Sequence, residues 1–418
     1  MDAESSVFRP VPRTGVIYVM SRAQELGFHY GHPEWANLGQ GAPETGPLPG
    51  SAPRITEIRF DERVDEYAPV AGIKELREAV AHLYNVRFRK GMASQYTADN
   101  VAISPGGRAG LTRIAAALGP VNLGHFLPDY TAYEELLDIF KAFVPLPVVT
   151  EREHGFSLTA DQVRKEIVNR GLGALLLSNP CNPTGQVVRG GALRAWVELC
   201  RKHGVALILD EFYSHYLYGD ALRADGPALS AARYVEDVNE DPVVLVDGLT
   251  KNWRYPGWRL SWTVGPRWLT DRLASAGSFL DGGPAHPIQR AALPLLDPEV
   301  ADQEARAIQQ SFGAKRDLVV DHLRAMGMRV DVVPYGAFYV FAGLDDLPEP
   351  LRDGMAFFEA ALRRQVIVVP GQFFDVNPGK RRSHIPSRLK NHVRISFGPS
   401  MESVRLGLDR LDAMIREA

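Results

Sequence analysis

Three short runs, Ala174–Ser178, Ala206–Leu209 and Val243–Val246, are almost wholly apolar, and each ends at polar or turn residues. Strands covered on both faces of a parallel sheet have this composition, because neither side meets water. Amphipathic segments lie between such runs. From Gly72 to Lys90, Ile73, Leu76, Val80 and Leu83 recur three and four residues apart, which predicts one buried helix face. Leu193 to His203 reads as the crossover helix feeding the strand that ends at Asp210. Strand, helix, strand in that order predicts an α/β fold with a mainly parallel sheet flanked by helices. Near the end, Ser400 is placed to cap a helix carrying Val404, Leu408, Leu411 and Ile415 on one stripe.

A chain of 418 residues is long enough for more than one such unit. The expected division is a large domain over 50–295 and a smaller α+β domain built from both termini, 1–49 and 296–418. Forty-seven Lys and Arg against 50 Asp and Glu give a formal net charge of −3, which excludes a polybasic nucleic-acid binder or an acidic tail as the dominant character. No apolar run approaches the ~18 residues of a membrane span. The start, MDAESSVFRP, lacks the apolar core of a secretory signal. The two cysteines, Cys181 and Cys200, form no CxxC pair, which fits a reducing compartment. The expectation is a soluble cytoplasmic enzyme without membrane or nucleic-acid partners.

Ligands of parallel α/β sheets sit at the carboxyl ends of the strands. Four strand ends carry unusual polar groups. Ser178-Asn179-Pro180-Cys181-Asn182-Pro183-Thr184-Gly185 follows one, and Asp210-Glu211-Phe212-Tyr213 follows another. Asp247-Gly248-Leu249-Thr250-Lys251 follows a third, with Arg254 and Arg259 downstream. Ser104-Pro105-Gly106-Gly107-Arg108 opens a helix, and converging amides at a helix N-terminus suit phosphate, although Gly pairs are also ordinary turns. Neither GxxxxGK[ST] nor GxGxxG is present, and no HExxH or Cys/His cluster points to a metal. Asp210, at the edge of an apolar run, needs a partner, though it could equally be a helix cap. Lys251 alone could be a surface lysine; the combination raises both.

Taken together, NPCNPTG at 179–185, DEFY at 210–213 and TKNWRYPGWR at 250–259 resemble the class I/II aminotransferases, fold-type I enzymes of pyridoxal 5'-phosphate. VRISFG at 393–398 and EYAPVAGIKELREAV at 66–80 support the resemblance, which runs from about Asn37 to the final helix. It implies that Lys251 forms a Schiff base with the cofactor and later shuttles a proton, as a lysine can be both covalent partner and base. Asp210 would pair with the pyridine nitrogen and keep the ring an electron sink. Asn182 and Tyr213 would bond the phenolic oxygen, and Tyr130 would stack on the ring. Amides at Gly107 and Arg108, the Thr250 hydroxyl and the charge of Arg259 would hold the phosphate. Tyr67 would reach the phosphate from a neighbouring subunit, which implies a homodimer with composite sites. Arg394 would grip the α-carboxylate of an amino-acid or keto-acid substrate, with Gly39 close by.

The resemblance has departures. Gly248 stands where the family usually carries a phosphate-binding serine or threonine. The stretch 375–392, with Lys380, Arg381, Arg382, Arg388 and Lys390, is longer than usual. It reads either as a solvated loop or as a lid whose cations meet an anionic substrate. His286 reads as a turn residue or pocket lining, Cys181 as a small filler, and Trp253 and Tyr255 as packing or pocket wall. Transamination is the leading reaction. β/γ-Elimination, replacement, carbon–carbon bond formation on an S-adenosylmethionine-like substrate and Cα oxidation start from the same carbanion and are the alternatives. A regulator carrying this fold as a sensor would need a DNA-binding unit before residue 37, where the segment is too short for a winged helix.

Overall fold

The three apolar runs become adjacent strands in the middle of one sheet. The computed structural model describes residue 11 and residues 15–418. Its strands are β1 (Ala36–Asn37), β2 (Val101–Ser104), β3 (Asn122–Leu127), β4 (Val144–Val149), β5 (Leu172–Ser178), β6 (Ala206–Asp210) and β7 (Val243–Gly248). They continue as β8 (Ser261–Val264), β9 (Tyr339–Gly343), β10 (Val366–Ile367), β11 (Val369–Pro370) and β12 (His392–Ser396).

The main sheet has seven strands in the order β2-β8-β7-β6-β5-β3-β4. Only β8 runs against the rest, pairing antiparallel with both β2 and β7. The reason is local: between Gly248 and Ser261 the chain makes only two short helical turns, Leu249–Asn252 and Pro256–Trp258, so it doubles back. A parallel return would need a full crossover. Register then aligns the strand ends, with Ser178 opposite Asp210 and Asp210 opposite Val246. The polar residues that follow β5, β6 and β7 therefore share one edge.

Alternate residues of the central strands feed two separate cores. Leu176, Ile208 and Val244 pack on one face, Leu175, Leu207 and Leu245 on the other. Burying each such side chain contributes roughly 1.5–3 kcal/mol, which fixes the strands as a rigid platform. The crossover helix is Gly190–His203, starting three residues before the sequence expectation, and Gly204 ends it at φ 64°. The helix Lys74–Phe88 buries Leu76, Val80 and Leu83 as expected, while Ile73 becomes its N-cap residue.

A smaller antiparallel sheet, β11-β12-β9, lies late in the chain, and early β1 pairs in parallel with late β10, Ala36 opposite Val366. The 28-residue helix Pro298–Ala325 is capped by Asp297, whose carboxylate accepts from the Glu299 and Val300 amides. Ser400 caps Met401–Arg416 through the Ser403 amide, and Val404, Leu408, Leu411 and Ile415 are buried. No helix among the described residues is long and apolar enough to cross a membrane.

Candidate active site

A cavity of about 440 Å³ opens at the carboxyl edge of the main sheet. Each strand end delivers a group to it for a local reason. After β2 the backbone turns at Gly106, φ 94°, into the helix Gly107–Ala117. A side chain at Gly106 would also collide with the Arg259 guanidinium, and one at Gly107 with the Phe212 ring. Glycines are thus required twice over, and the amides of the first helical turn face the cavity.

Asp210 ends β6 and is 6% exposed. Its Oδ2 accepts a 2.9 Å bond from the Tyr133 hydroxyl, and Oδ1 lies 3.4 Å from the Phe212 amide. Burial pushes its carboxyl up to about 6, against the pull of Tyr133. Lys251 follows β7 on the short helix Leu249–Asn252, with Nζ donating to the Gly41 carbonyl. Burial, and then the charges of Arg394, Arg108 and Arg259, bring its amine down to about 7.

Arg394, on β12, is 1% exposed. Its Nη1 donates to Asn182 Oδ1 at 2.9 Å and its Nη2 to the Gly39 carbonyl at 2.6 Å, while Nε has no partner among the described residues. The guanidinium lies 4.2 Å above the Tyr339 ring and 5.0 Å from that of Phe374. Asn182 is held in turn by its amide, which donates to Ser178 Oγ at 3.1 Å. The Tyr213 and Tyr339 hydroxyls are 2.7 Å apart. Arg108 reaches the Tyr130 hydroxyl at 2.9 Å. Arg259, at φ 49°, donates to the Pro256 carbonyl at 3.1 Å, and Thr250 Oγ1 is buried without a partner among the described residues.

Among the described residues, none of Lys251, Arg108, Arg259 or Arg394 has a carboxylate within salt-bridge distance. Arg394 is a buried cation held only by neutral oxygens, which is costly, and an arriving anion offsets that cost. The arrangement therefore suits a ligand with two separate anionic groups, one near Arg259 and the helix amides, the other near Arg394.

Every residue to which the resemblance gives a role in the cofactor or substrate site lines this cavity except Gly39 and Tyr67. Gly39 touches it indirectly, through the carbonyl that holds Arg394. Tyr67 is 96% exposed on the surface of its own chain. At Gly248 the backbone is extended, and a Cβ would come within 2.6 Å of the Leu260 carbonyl, so β8 leaves no room for serine. In the 375–392 stretch, Lys380 pairs with Glu134, Arg382 with Asp375 at 2.8 Å and Arg388 with Glu151 at 2.8 Å, and none lines the cavity. His286 bonds the Glu66 carbonyl at 3.1 Å, Trp253 the Leu295 carbonyl at 2.8 Å, and the Tyr255 hydroxyl accepts from the Ile55 amide at 2.9 Å. All three lie outside the lining. Burial pushes the Cys181 thiol up to about 12, which makes it a poor nucleophile.

Sequence reasoning missed Tyr133, Tyr339 and the Gly41 carbonyl, and gave Ser178 no role of its own. Tyr133 had a signal, since it lies in the same PDYTAY segment as Tyr130. Tyr339 had none, being one apolar-looking position in a late strand.

The description "aminotransferase class I and II" fits the family model that matches residues 33–411. An aspartate/prephenate aminotransferase of Thermus thermophilus is 30% identical over 357 residues, covering 84% of each chain. An aromatic-amino-acid aminotransferase of Thermococcus litoralis is 26% identical, covering 91% of this chain and 92% of that one. The solved structure of a Thermus thermophilus aspartate aminotransferase with maleate superposes with a TM-score of 0.78 at 26% identity, over 97% of this chain and all of the other. A cavity built around Lys251, Asp210 and Arg394, on this sheet and with these relatives, has one consistent reading: the chain belongs to the class I and II aminotransferase family.

Proposed function

We propose that this protein transfers an amino group between an α-amino acid and an α-keto acid, using pyridoxal 5'-phosphate held in the cavity. The observation that carries the reading is Arg394, a buried guanidinium with only neutral partners, sharing one cavity with Lys251. The cavity's residues fit the cofactor. Thr250 Oγ1, Arg259 and the first amides of Gly107–Ala117 supply donors for a phosphate, and Asp210, the one carboxylate in the cavity's described lining, faces a ring nitrogen. When bound, the group supplies an electron sink that makes the Cα proton of an amino acid removable.

The chain's own residues do the rest. Arg394, aimed by Asn182 and Gly39, takes the substrate α-carboxylate and fixes where Cα lies. Lys251 Nζ, brought down to about 7, holds or releases a proton near neutral pH, which suits the shuttle at Cα. Asp210, ionised above about 6, stabilises a protonated ring nitrogen. Tyr213 and Asn182 offer a hydroxyl and an amide to a phenolic oxygen, and Tyr130 offers a ring face. Asn182, Asp210, Tyr213 and Arg394 are buried, which limits the water around the reacting atoms.

Three further parts belong to this reading. The protein acts as a homodimer, which the exposure of Tyr67 at 96% and Phe60 at 70% supports. A large domain over 50–295 carries the cofactor, and 1–49 with 296–418 form the small domain, which the β1–β10 pairing supports. The site of action is the cytoplasm, consistent with two free cysteines. The test is a spectral titration of the cofactor-loaded protein against a panel of amino acids. Cofactor absorbance should fall with an accepted amino acid and recover with a keto acid. Lys251→Ala should abolish this cycle, and a cycle that persisted would overturn the assignment.

A further inference from the structure

Two of the groups that face the cavity are each backed by a second tyrosine. Tyr133 stands behind Asp210, and Tyr339 stands behind Tyr213 with the two hydroxyls 2.7 Å apart. The Tyr213 ring meets Phe338 at 5.3 Å and Tyr216 at 6.2 Å, both edge to face, which fixes where its hydroxyl lies. Tyr339 comes from β9, where it pairs with Ser396, two residues beyond Arg394 on β12. Its ring lies 4.2 Å from the Arg394 guanidinium, and its hydroxyl is 3.1 Å from where a Cβ on Gly41 would stand. One tyrosine thus touches Arg394, Tyr213 and the segment whose carbonyl holds Lys251.

Burial pushes the Tyr339 hydroxyl up to about 12 and the Tyr213 hydroxyl well above the usual tyrosine value, so both keep their protons at neutral pH. The pair therefore has two protons and one bond between its oxygens. Neither hydroxyl has another hydrogen-bond partner among the described residues. Arg394 carries donors only, which leaves the Tyr213 oxygen as the acceptor for the Tyr339 proton. Tyr339 is 0% exposed and Tyr213 6%, so an arriving oxygen meets Tyr213 and not Tyr339. Only one polarity then satisfies both protons. We propose that Tyr339 is a positioning residue, donating to Tyr213 so that Tyr213 donates outward to the phenolic oxygen of the cofactor. The inference rests on the reading of this cavity as a pyridoxal 5'-phosphate site. A donated bond favours the unprotonated oxygen, and a bond polarised by a second one behind it is stronger.

The test is the pH midpoint of cofactor absorbance in the loaded protein without substrate. Tyr213→Phe should raise that midpoint by about one to two pH units, the worth of one hydrogen bond to a charged oxygen. Tyr339→Phe deletes a hydroxyl and keeps the ring beside Arg394. It should raise the midpoint by about 0.1–0.6 pH units, the ~10–30% that a second bond adds to the first. With the opposite polarity, Tyr213 donating to Tyr339, the same substitution would free the Tyr213 proton and lower the midpoint. In the Tyr213→Phe background, Tyr339→Phe should change nothing, because the relay has already been cut. A lowered or unmoved midpoint in Tyr339→Phe, or a rise that persists without the Tyr213 hydroxyl, would overturn the proposal. A chain that gains no cofactor absorbance, or a Tyr213→Phe variant with the original midpoint, would overturn the underlying reading of the site instead.

Discussion

Removing one hydroxyl from Tyr133 should shift the pH range in which the cofactor is held. Tyr133 donates to Asp210 Oδ2 at 2.9 Å, and both groups are buried. The bond favours the ionised carboxylate, opposing the burial that pushes it up to about 6. A hydrogen bond to a charged group contributes roughly 1.5–3 kcal/mol, or about one to two pK units. In Tyr133→Phe, Asp210 should therefore titrate near ~7–8 before the cofactor arrives. At pH 7 its ionised fraction would fall from about 90% to about 10–50%. Cofactor affinity, measured by fluorescence quenching on the apoprotein, should then drop about two- to tenfold relative to the unmodified chain at pH 7, and by far less at pH 9. Taking the ratio of the two proteins at each pH removes the cofactor's own titrations. A ratio that stays constant from pH 6 to 9 would refute the reasoning, because the hydroxyl would then act only by packing.

Asp210→Asn should make the apoprotein more stable at pH 8 while abolishing amino transfer. A carboxyl raised from 3.8 to about 6 in the fold favours folding fully below its unfolded value and loses that contribution as pH rises through about 6. The gain at pH 8 is up to about 3 kcal/mol in urea unfolding and should vanish near pH 4. Gly248→Ser should cost about 1–3 kcal/mol of stability without tightening cofactor binding, since the added Cβ meets the Leu260 carbonyl and Ser261; tighter binding by equilibrium dialysis would contradict this. Thr250→Ala should weaken cofactor binding about tenfold, by the loss of one hydrogen bond to an anion, and leave kcat at saturating cofactor within about twofold. Neutralising Arg381 and Arg382 together should leave the substrate KM unchanged, because neither lines the active-site cavity; a raised KM would restore a lid role for the basic stretch.

The sheet was legible because burial on both faces leaves a strong mark, an unbroken apolar run such as Val205 to Leu209. The reversal of β8 was not. Ser261–Val264 is as buried as its neighbours, and direction is set by the short connection after Lys251. The site followed the same division. Residues that touch a ligand sit in segments with turn chemistry, so Asn182, Asp210 and Lys251 stood out against apolar surroundings. Residues that aim them did not, because a tyrosine such as Tyr339 on β9 is as apolar by composition as a packing residue. The Gly41 carbonyl left no signal, since every residue has one.

The energetics of the cavity explain why so much of it was readable. A fold selected for stability alone would not keep Arg394 at 1% exposure without a counter-ion, nor a half-buried Lys251 with its amine brought down to about 7. Nor would it keep Thr250 Oγ1 buried and unpaired on the same wall. Each departs from what propensity, pattern and burial favour. Such departures are tolerated because the two cores on either side of β5, β6 and β7 hold the strand ends in place regardless. An anionic ligand with two charged ends then converts several unfavourable terms into favourable ones at once. On this argument the apoprotein should be markedly less stable than the loaded one, and the difference should shrink in Arg259→Met, where one of the cations awaiting the phosphate is gone.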